Sequence, residues 1–347
     1  MRKSYQTETW SKTGDLRVSV SKAMSALETN TCIRFKKIDS SSVKGDAIRI
    51  VDLGSCSSLV GRQNMGVQDV SLTEGCWGQG TAQHELMHAI GVEHTQSRSD
   101  RNQHLNILYK NIDNSDLPNF ELLSSRDWVN LVPYDYGSVM HYSADSFARK
   151  STEETMTPKD KTYIETMGSL IPNFYDYDQI NHYYQCYESC VDSDTNCGNG
   201  GVPNPNDCSK CICPMGYGGD LCTQRPHGCG GILTASKDWQ SKEITASFNR
   251  KDTQYYTFCT WWIVAPANST IEVNYVMSSK KEKDLFCEYG CYDAGIEVKH
   301  LSDPRITNER DCCLTSPVGM NTTTNPLPVI LYTAARTVTY DFGFRYL

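Results

Sequence analysis

The residues best suited to chemistry lie in one short segment, residues 83–94, which reads QHELMHAIGVEH. His84 and His88 are four residues apart, so a helix would place both imidazoles on one face, one turn apart. Two imidazoles in that arrangement can bind one metal ion at about 2.0–2.1 Å each. Glu85 is rotated by about 100° around the same helix, so it can reach a water molecule on the metal without binding the metal. The pattern therefore predicts a metal site with a general base beside it.

A third ligand has to come from outside the helix. Gly91 follows the second histidine closely, and glycine tolerates the left-handed backbone that ends a helix. The chain can turn there and bring His94 back toward the other two rings. Three neutral nitrogens and a water molecule form an open zinc site of the catalytic kind, whereas structural zinc sites are closed by four protein ligands. We therefore expect one Zn²⁺ per chain.

The flanking sequence contains the elements that must position this segment. Apolar residues recur at helical spacing near the start of the chain; they are Leu16, Val20, Met24 and Leu27. Residues 47–51, AIRIV, are typical of a strand. Residues 1–187 contain four cysteines and combine both patterns. The fold class expected for this domain is α+β.

Charge and cysteine content restrict the class of protein. The chain has 347 residues, a net charge of −8 and a pI near 5.5, which does not favour a nucleic-acid partner. No apolar run approaches the ~18–20 residues of a membrane-spanning helix. Sixteen cysteines indicate disulfides formed in an oxidising compartment. The acceptor sequences at Asn268 and Asn321 add N-glycosylation, so we expect a secreted, extracellular protein.

The first ten residues do not look like an export signal. They have a basic start but no apolar stretch. A secreted protein needs such a signal, so we expect the true N-terminus to lie outside this chain.

Two motifs together resemble a known peptidase family. Residues 83–94 match the zinc signature of the metzincins, and the wording HELMHAIG is most similar to the astacin family. Residues 138–142, SVMHY, resemble the methionine turn that lies under the zinc in astacins. The resemblance implies a two-lobed zinc peptidase domain with a tyrosine that first binds zinc and then stabilises the transition state. The residues that match these roles are His84, His88 and His94 as zinc ligands and Glu85 and Tyr142 as catalytic residues.

The second half of the chain resembles two extracellular modules. Residues 188–224 are similar to an EGF-like module, and residues 229–347 are similar to an all-β CUB sandwich. In the CUB-like part, residues 259–263 (CTWWI) resemble a core strand, and we expect Trp261 on its opposite face. The disulfides implied by the resemblance are Cys32–Cys186, Cys56–Cys76, Cys190–Cys208, Cys197–Cys211, Cys213–Cys222 and Cys229–Cys259. The pairing of the remaining four stays open; they are Cys287, Cys291, Cys312 and Cys313.

Several features depart from the astacin pattern. Thr95 stands where astacins carry a glutamate that receives the buried N-terminus of the mature enzyme. We also expect neither a propeptide nor the strand that usually precedes the first helix. We therefore hypothesise that the usual activation lock is absent or altered. Residues 58–62 align with the edge strand that pairs with substrate, and Ser57 and Ser58 replace aromatic residues there, which predicts looser binding of substrate side chains.

The leading prediction is a secreted zinc endopeptidase that hydrolyses extracellular proteins. Matrix, cuticle or eggshell proteins are the substrates that the resemblance suggests, with protein partners for the CUB domain. The alternative is a catalytically impaired binding protein that acts through its EGF-like and CUB modules. The presence of Glu85 and Tyr142 beside all three histidines favours the enzyme, whereas the missing front end favours the alternative.

Overall fold

The computed structural model describes most of the chain. The described ranges are 2–6, 14–39, 42–76, 78–124, 130–248, 256–278, 287–313, 317–334 and 337–347. Within these ranges, no helix has both the length and the apolar character needed to cross a membrane.

A mixed five-stranded sheet packed against two helices forms the N-terminal lobe. Its strands are β1 (Arg2–Gln6), β2 (Arg34–Ile38), β3 (Ala47–Val51), β4 (Ser57–Ser58) and β5 (Val67–Ser71). The helices are α1 (Gly14–Asn30) and α2 (Gln79–Ala89). The strand order is β2-β1-β3-β5-β4, and all neighbours are parallel except the pair β4 and β5. This arrangement leaves β4 at an open edge.

The apolar residues of α1 point into the core of this lobe, as their spacing predicts. Leu16, Val20, Met24 and Leu27 are all buried. They belong to the same apolar cluster as Leu86 and Met87 of α2. The strand predicted for residues 47–51 is also confirmed, as β3. The core therefore holds α2 rigidly, and α2 carries the first two histidines.

The expectation that no strand precedes the first helix is wrong. β1 lies between β2 and β3 and pairs with both in parallel. Residues 2–6 read RKSYQ and lack the apolar alternation that identifies a strand. The strand forms because β2 and β3 both present backbone groups that require hydrogen-bond partners. The residues of β1 alone do not indicate this pairing.

The predicted substrate-binding strand is shorter than expected. β4 covers only Ser57–Ser58, so residues 59–62 of the predicted strand lie outside it. Gly61 lies beyond the end of β4 and has a φ of +73°, and its amide donates to the carbonyl of His88 at 2.8 Å. The segment that follows the edge strand is therefore tied directly to α2.

Short elements make up the second lobe of the domain. They are β6 (Leu105–Ile107), β7 (Met156–Pro158), α3 (Phe174–Tyr183) and the 3₁₀ helices Thr95–Ser97, Arg101–Gln103, Tyr109–Asn111, Leu117–Phe120, Lys161–Tyr163 and Cys186–Cys190. β6 and β7 are antiparallel. Asn173 and Asp176 form a capping box that starts α3.

A small disulfide-linked segment follows, residues 190–222. It contains one antiparallel hairpin, β8 (Val202–Asn204) and β9 (Asp207–Ile212). Three disulfides cross it: Cys190–Cys208, Cys197–Cys211 and Cys213–Cys222. These bonds replace the apolar core that so short a segment cannot build.

The rest of the chain is a two-sheet arrangement, which we call the C-terminal sandwich (residues 230–346). One sheet has the order β10-β12-β17-β14-β15 and the other β11-β18-β13-β16. The strands are β10 (Gly230–Thr234), β11 (Gln240–Ser247), β12 (Thr257–Val264), β13 (Ile271–Met277), β14 (Ala294–Val298), β15 (Arg310–Asp311), β16 (Val318–Thr322), β17 (Leu327–Thr333) and β18 (Thr337–Tyr346). Apolar residues of both sheets share one core.

The expected orientation of Trp261 is wrong. Trp261 packs in the sandwich core with Cys259 and Ile263, because alternate residues of a strand share a face. Trp262 is the residue on the opposite face, where it packs with Tyr217 and donates from Nε1 to the Gly216 carbonyl at 2.9 Å. This tryptophan therefore joins the sandwich to the small disulfide-linked segment.

All sixteen cysteines are paired in eight disulfides. The six bonds implied by the resemblances to astacins, EGF-like modules and CUB domains are present. The four cysteines that were left open form Cys287–Cys313 and Cys291–Cys312. These last two bonds cross-link the same part of the sandwich, next to the second lobe.

The sandwich packs closely against the second lobe. Ile171 belongs to the apolar core of the sandwich, although it precedes α3. The Thr307 amide donates to the Asp135 carboxylate at 3.1 Å, and the Arg310 amide donates to the Thr166 hydroxyl at 2.9 Å. The residues in these contacts are buried. The second lobe and the sandwich therefore share a buried interface.

Candidate metal centre and active site

Helix α2 places the first two histidines, and the turn after it places the third. Residues 79–89 are rich in good helix formers, and most of α2 is buried. The helix ends at Ala89, and Gly91 has a φ of +98°, as predicted for the turn. The Nε2 atom of His94 then lies 3.0 Å from Nε2 of His88 and 3.3 Å from Nε2 of His84.

The other nitrogens of two rings determine what these Nε2 atoms can do. Nδ1 of His84 lies 2.8 Å from the Val139 carbonyl, and Nδ1 of His88 lies 2.8 Å from the Val92 carbonyl. A carbonyl only accepts hydrogen bonds, so each Nδ1 carries the proton and each Nε2 presents a lone pair. Lone pairs that converge at this distance repel one another unless a cation lies between them.

The three rings fit Zn²⁺. Tetrahedral ligands at 2.0–2.1 Å from zinc lie about 3.3–3.4 Å apart, close to the spacing of the Nε2 atoms. Burial lowers the pKa of each ring, and together with the charge of His84 it lowers that of His88 to about 3. Neutral rings are the form that binds metal. The carbonyl partners of the two Nδ1 atoms hold the rings in the required tautomer.

A second cluster of possible ligands does not fit a metal. Glu165, Cys312 and Cys313 lie close together, but both cysteines are in disulfides. The Glu165 carboxylate accepts the amides of Cys312 and Cys313 at 2.9 and 3.0 Å. These contacts account for the position of Glu165 without an ion.

Glu85 is a buried carboxylate beside the histidines. Its side chain lines the same cavity as His84 and Tyr142, and its Oε2 has no hydrogen-bond partner among the described residues. Burial raises its pKa to about 7. A carboxylate with such a pKa accepts and releases protons efficiently near neutral pH. The geometry therefore suits a general base and acid.

Tyr142 lies against the third histidine. The two ring centroids are 4.4 Å apart. Burial, followed by the charge of Glu85, raises the Tyr142 pKa to about 12. The hydroxyl therefore keeps its proton at neutral pH and can donate a hydrogen bond to a developing oxyanion.

Helix α3 supports the turn that carries Tyr142 through hydrogen bonds. Asp176 accepts the Ser138 hydroxyl at 2.5 Å and the Val139 amide at 3.0 Å. Met140 is fully buried in the core next to these residues. Asp176 was missed by sequence reasoning, since its capping box with Asn173 indicates a helix start but not a contact with the turn.

Thr95 joins the same network as a neutral group. It is buried, and its amide donates to the Met140 carbonyl at 2.9 Å. Its hydroxyl donates to Ser138 at 3.0 Å, and Ser138 donates in turn to Asp176. Thr95 therefore provides packing and a hydrogen bond at this position, without the charge of a glutamate.

Comparison with known proteins assigns this site to a family. The sequence profile of the peptidase family described as Astacin matches residues 4–185. The chain belongs to the astacin family. It is also 63% identical over 337 residues to zinc metalloproteinase nas-25 of Caenorhabditis elegans, covering 96% of this chain and 84% of that relative.

A second relative is matched over about half of its own length, and a solved structure matches about half of this chain. Zinc metalloproteinase nas-31 of Caenorhabditis elegans is 40% identical over 306 residues, which cover 87% of this chain and 48% of that protein. The high choriolytic enzyme 1 of Oryzias latipes, a hatching enzyme zinc-protease, is 31% identical with a TM-score of 0.47, covering 52% of this chain and 89% of that one. The sequence matches alone establish the family, and with it a zinc metalloendopeptidase.

The cavity of this astacin contains residues that sequence reasoning missed. Its volume is about 470 Å³, within the usual range of a binding site. Besides His84, Glu85 and Tyr142, three residues from the C-terminal sandwich line it: Glu288, Tyr289 and Tyr292. These three residues lie far from residues 83–94 in the sequence, and no local pattern relates them. Their place in the cavity is seen only from the packing of the sandwich.

Proposed function

We propose that this astacin is a secreted endopeptidase that hydrolyses extracellular proteins, with one zinc held by His84, His88 and His94. The observation that carries the proposal is the convergence of the three Nε2 atoms of His84, His88 and His94 beside Glu85, whose buried Oε2 has no partner among the described residues. A protein that only binds partners has no use for a buried carboxylate oxygen without a donor, which costs stability. This arrangement favours the enzyme over a catalytically impaired binding protein.

Each residue of the cleft has a separate task in the proposed mechanism. When bound, zinc supplies Lewis-acid polarisation of the scissile carbonyl and activation of a water molecule. Glu85 accepts a proton from the attacking water and delivers it to the leaving amine. The hydroxyl of Tyr142 donates to the oxyanion of the tetrahedral intermediate. His84 and His88 keep their orientation through the carbonyls of Val139 and Val92.

The substrate backbone is proposed to bind at β4. This strand is at the sheet edge and has one neighbour, β5, so its other side can pair with an extended peptide. The Cys56–Cys76 disulfide holds it in place. Ser57 is exposed and Ser58 is half-buried. Two such small residues offer little contact area, in line with the predicted looser binding of substrate side chains.

The first prediction concerns the oxyanion donor. Tyr142→Phe is expected to lower kcat by about 10²–10³-fold, the usual effect of removing one such donor, with a much smaller change in KM. Steady-state kinetics on a fluorogenic peptide measure both constants. Tyr183→Phe is the matched control, because Tyr183 is 63% exposed. An unchanged kcat in Tyr142→Phe would remove this residue from the mechanism.

The second prediction concerns the metal. A chelator is expected to abolish hydrolysis, and one equivalent of Zn²⁺ per chain is expected to restore it. At a zinc concentration 100 times the dissociation constant, bound zinc should add about 2.7 kcal/mol to the free energy of unfolding. Elemental analysis and thermal unfolding of wild type, His88→Ala and the control His227→Ala test this. Retention of zinc by His88→Ala would contradict the ligand assignment.

The cysteines and modules support an extracellular location. Residues 188–224 are proposed to be an EGF-like module, which the three disulfides and the hairpin support. Residues 229–347 are proposed to be a CUB domain that binds protein partners, which the two-sheet core supports. The proposed glycosylation sites, Asn268 and Asn321, are both exposed. Matrix, cuticle or eggshell proteins remain the proposed substrates by analogy with the family.

A further inference from the structure

We propose that the C-terminal sandwich forms one wall of the active-site cavity and that this wall selects a substrate with a lysine or arginine close to the scissile bond. The wall consists of Glu288, Tyr289 and Tyr292, and we call it the sandwich wall. It lines the same cavity as His84 and Glu85. The inference rests on the proposed function, because it concerns which peptide that site accepts.

Covalent bonds hold the sandwich wall in a defined shape. Cys287 and Cys291 bracket Glu288 and Tyr289, and they are bonded to Cys313 and Cys312, respectively. Gly290 has a φ of +88°, a backbone conformation that residues other than glycine rarely adopt. The turn therefore has little freedom to rearrange.

Contacts with the peptidase lobe hold the wall at a fixed position beside the zinc ligands. The Gly290 amide donates to the Glu165 carbonyl at 2.7 Å, and a Cβ on Gly290 would lie 2.5 Å from the Gly168 carbonyl oxygen. Such a close approach permits only glycine. The Tyr289 hydroxyl donates to Glu154 at 3.0 Å, and its ring packs on the apolar cluster of the second lobe.

The charge around the cavity is negative on this side. Glu288 lies on the sandwich wall, and Asp145 lies on the segment after the methionine turn. No lysine or arginine is among the described residues that line the cavity. On this side of the cavity a cationic side chain would therefore meet the carboxylates of Glu288 and Asp145 and no lysine or arginine, whereas an acidic side chain would be repelled by them.

The Glu288 carboxylate has an unmet need for a donor. The Tyr292 hydroxyl and the Asp293 amide are close enough to the carboxylate to favour its charged form, but Oε1 is buried and has no hydrogen-bond partner among the described residues. Burial raises the pKa of Glu288, as expected for a carboxylate without a counter-ion. The ammonium of lysine or the guanidinium of arginine would supply both the donor and the charge. The tyrosine rings beside it can also stack on a cation.

The test is the cleavage preference of the zinc-loaded, full-length protein. A peptide library analysed by mass spectrometry gives the preferred residues around the scissile bond, and kcat/KM is then measured for matched peptides with Arg, Leu or Glu at the selected position. Wild type should prefer Arg. Glu288→Gln should lower kcat/KM for the Arg peptide by about 10- to 100-fold, the size of one hydrogen bond to a charged group, and leave the Leu peptide unchanged.

Two further variants and a binding measurement sharpen the test. Glu288→Lys should invert the preference from Arg to Glu. Glu243→Gln is the matched control, because Glu243 is an exposed residue of β11 outside the cavity. Binding of the Arg and Leu peptides to Glu85→Gln, with and without Glu288→Gln, gives a calorimetric readout that does not depend on turnover. Thermal unfolding confirms that each variant is folded.

The outcomes separate this inference from the proposed function. Hydrolysis without a preference for basic residues, or with the same preference in Glu288→Gln, would overturn the role of the sandwich wall alone. Absence of hydrolysis by the zinc-loaded wild type for every peptide would overturn the proposed function, and the inference with it.

Discussion

Glu85→Gln is expected to retain zinc and to lower kcat/KM by about 10²–10⁴-fold, the usual contribution of a general acid-base group. Glutamine has nearly the same shape but cannot accept the proton of the attacking water. The metal should remain, because the three converging nitrogens belong to His84, His88 and His94. Zinc content by elemental analysis and kcat/KM on a fluorogenic peptide, measured on the same sample, check both statements.

The control for this variant is Glu74→Gln. Glu74 is an exposed glutamate that precedes α2, so the same change of charge should leave kcat/KM within about twofold. A loss of less than tenfold in Glu85→Gln would mean that another group takes the proton. Loss of zinc together with activity would mean that Glu85 acts in holding the site, in which case its orphaned Oε2 would need another explanation.

Arg310→Ala is expected to lower the free energy of unfolding by about 3–5 kcal/mol, the usual effect of breaking a buried ion pair from one side. Arg310 is 1% exposed, and its Nε donates to Glu297 at 3.0 Å. Its guanidinium also donates to Ser169 of the peptidase domain. Without the arginine, the buried Glu297 carboxylate keeps Lys299, at 3.2 Å, and the Asn308 amide, at 3.0 Å, and the two domains lose a direct contact. Urea unfolding of the disulfide-intact protein measures the change.

An exposed ion pair provides the matched control for Arg310. Arg149 lies 2.9 Å from Asp113, and both side chains are largely exposed. Arg149→Ala should therefore change the free energy of unfolding by about 1 kcal/mol or less. If Arg310→Ala also costs no more than this, water reaches Glu297 and the interface is looser than its geometry indicates.

The metal centre could be predicted because its signals are local. His84 and His88 share a helix face by the helical period alone, and Gly91 marks the turn that returns His94. Glu85 follows from the same period. None of these positions depends on residues far away in the sequence, so a short segment determines which atoms converge.

Features that depend on pairing between distant segments could not be predicted in the same way. β1 is a strand because β2 and β3 flank it, not because of its own residues. Asp176 supports the methionine turn from another helix. The pairing of Cys287 with Cys313 and of Cys291 with Cys312 needs the distances between their backbones.

The sequence by itself determined the chemistry of this protein, and the tertiary structure decided what surrounds it. The proposed zinc ligands, the proposed general base and the disulfide-forming character are all predicted from residue type and short spacing. Glu288 and Tyr292 enter the cavity only because the sandwich packs on the second lobe through contacts such as Thr307 with Asp135. Such contacts arise from three-dimensional packing between residues more than 100 positions apart, and side-chain periodicity carries no information over that distance.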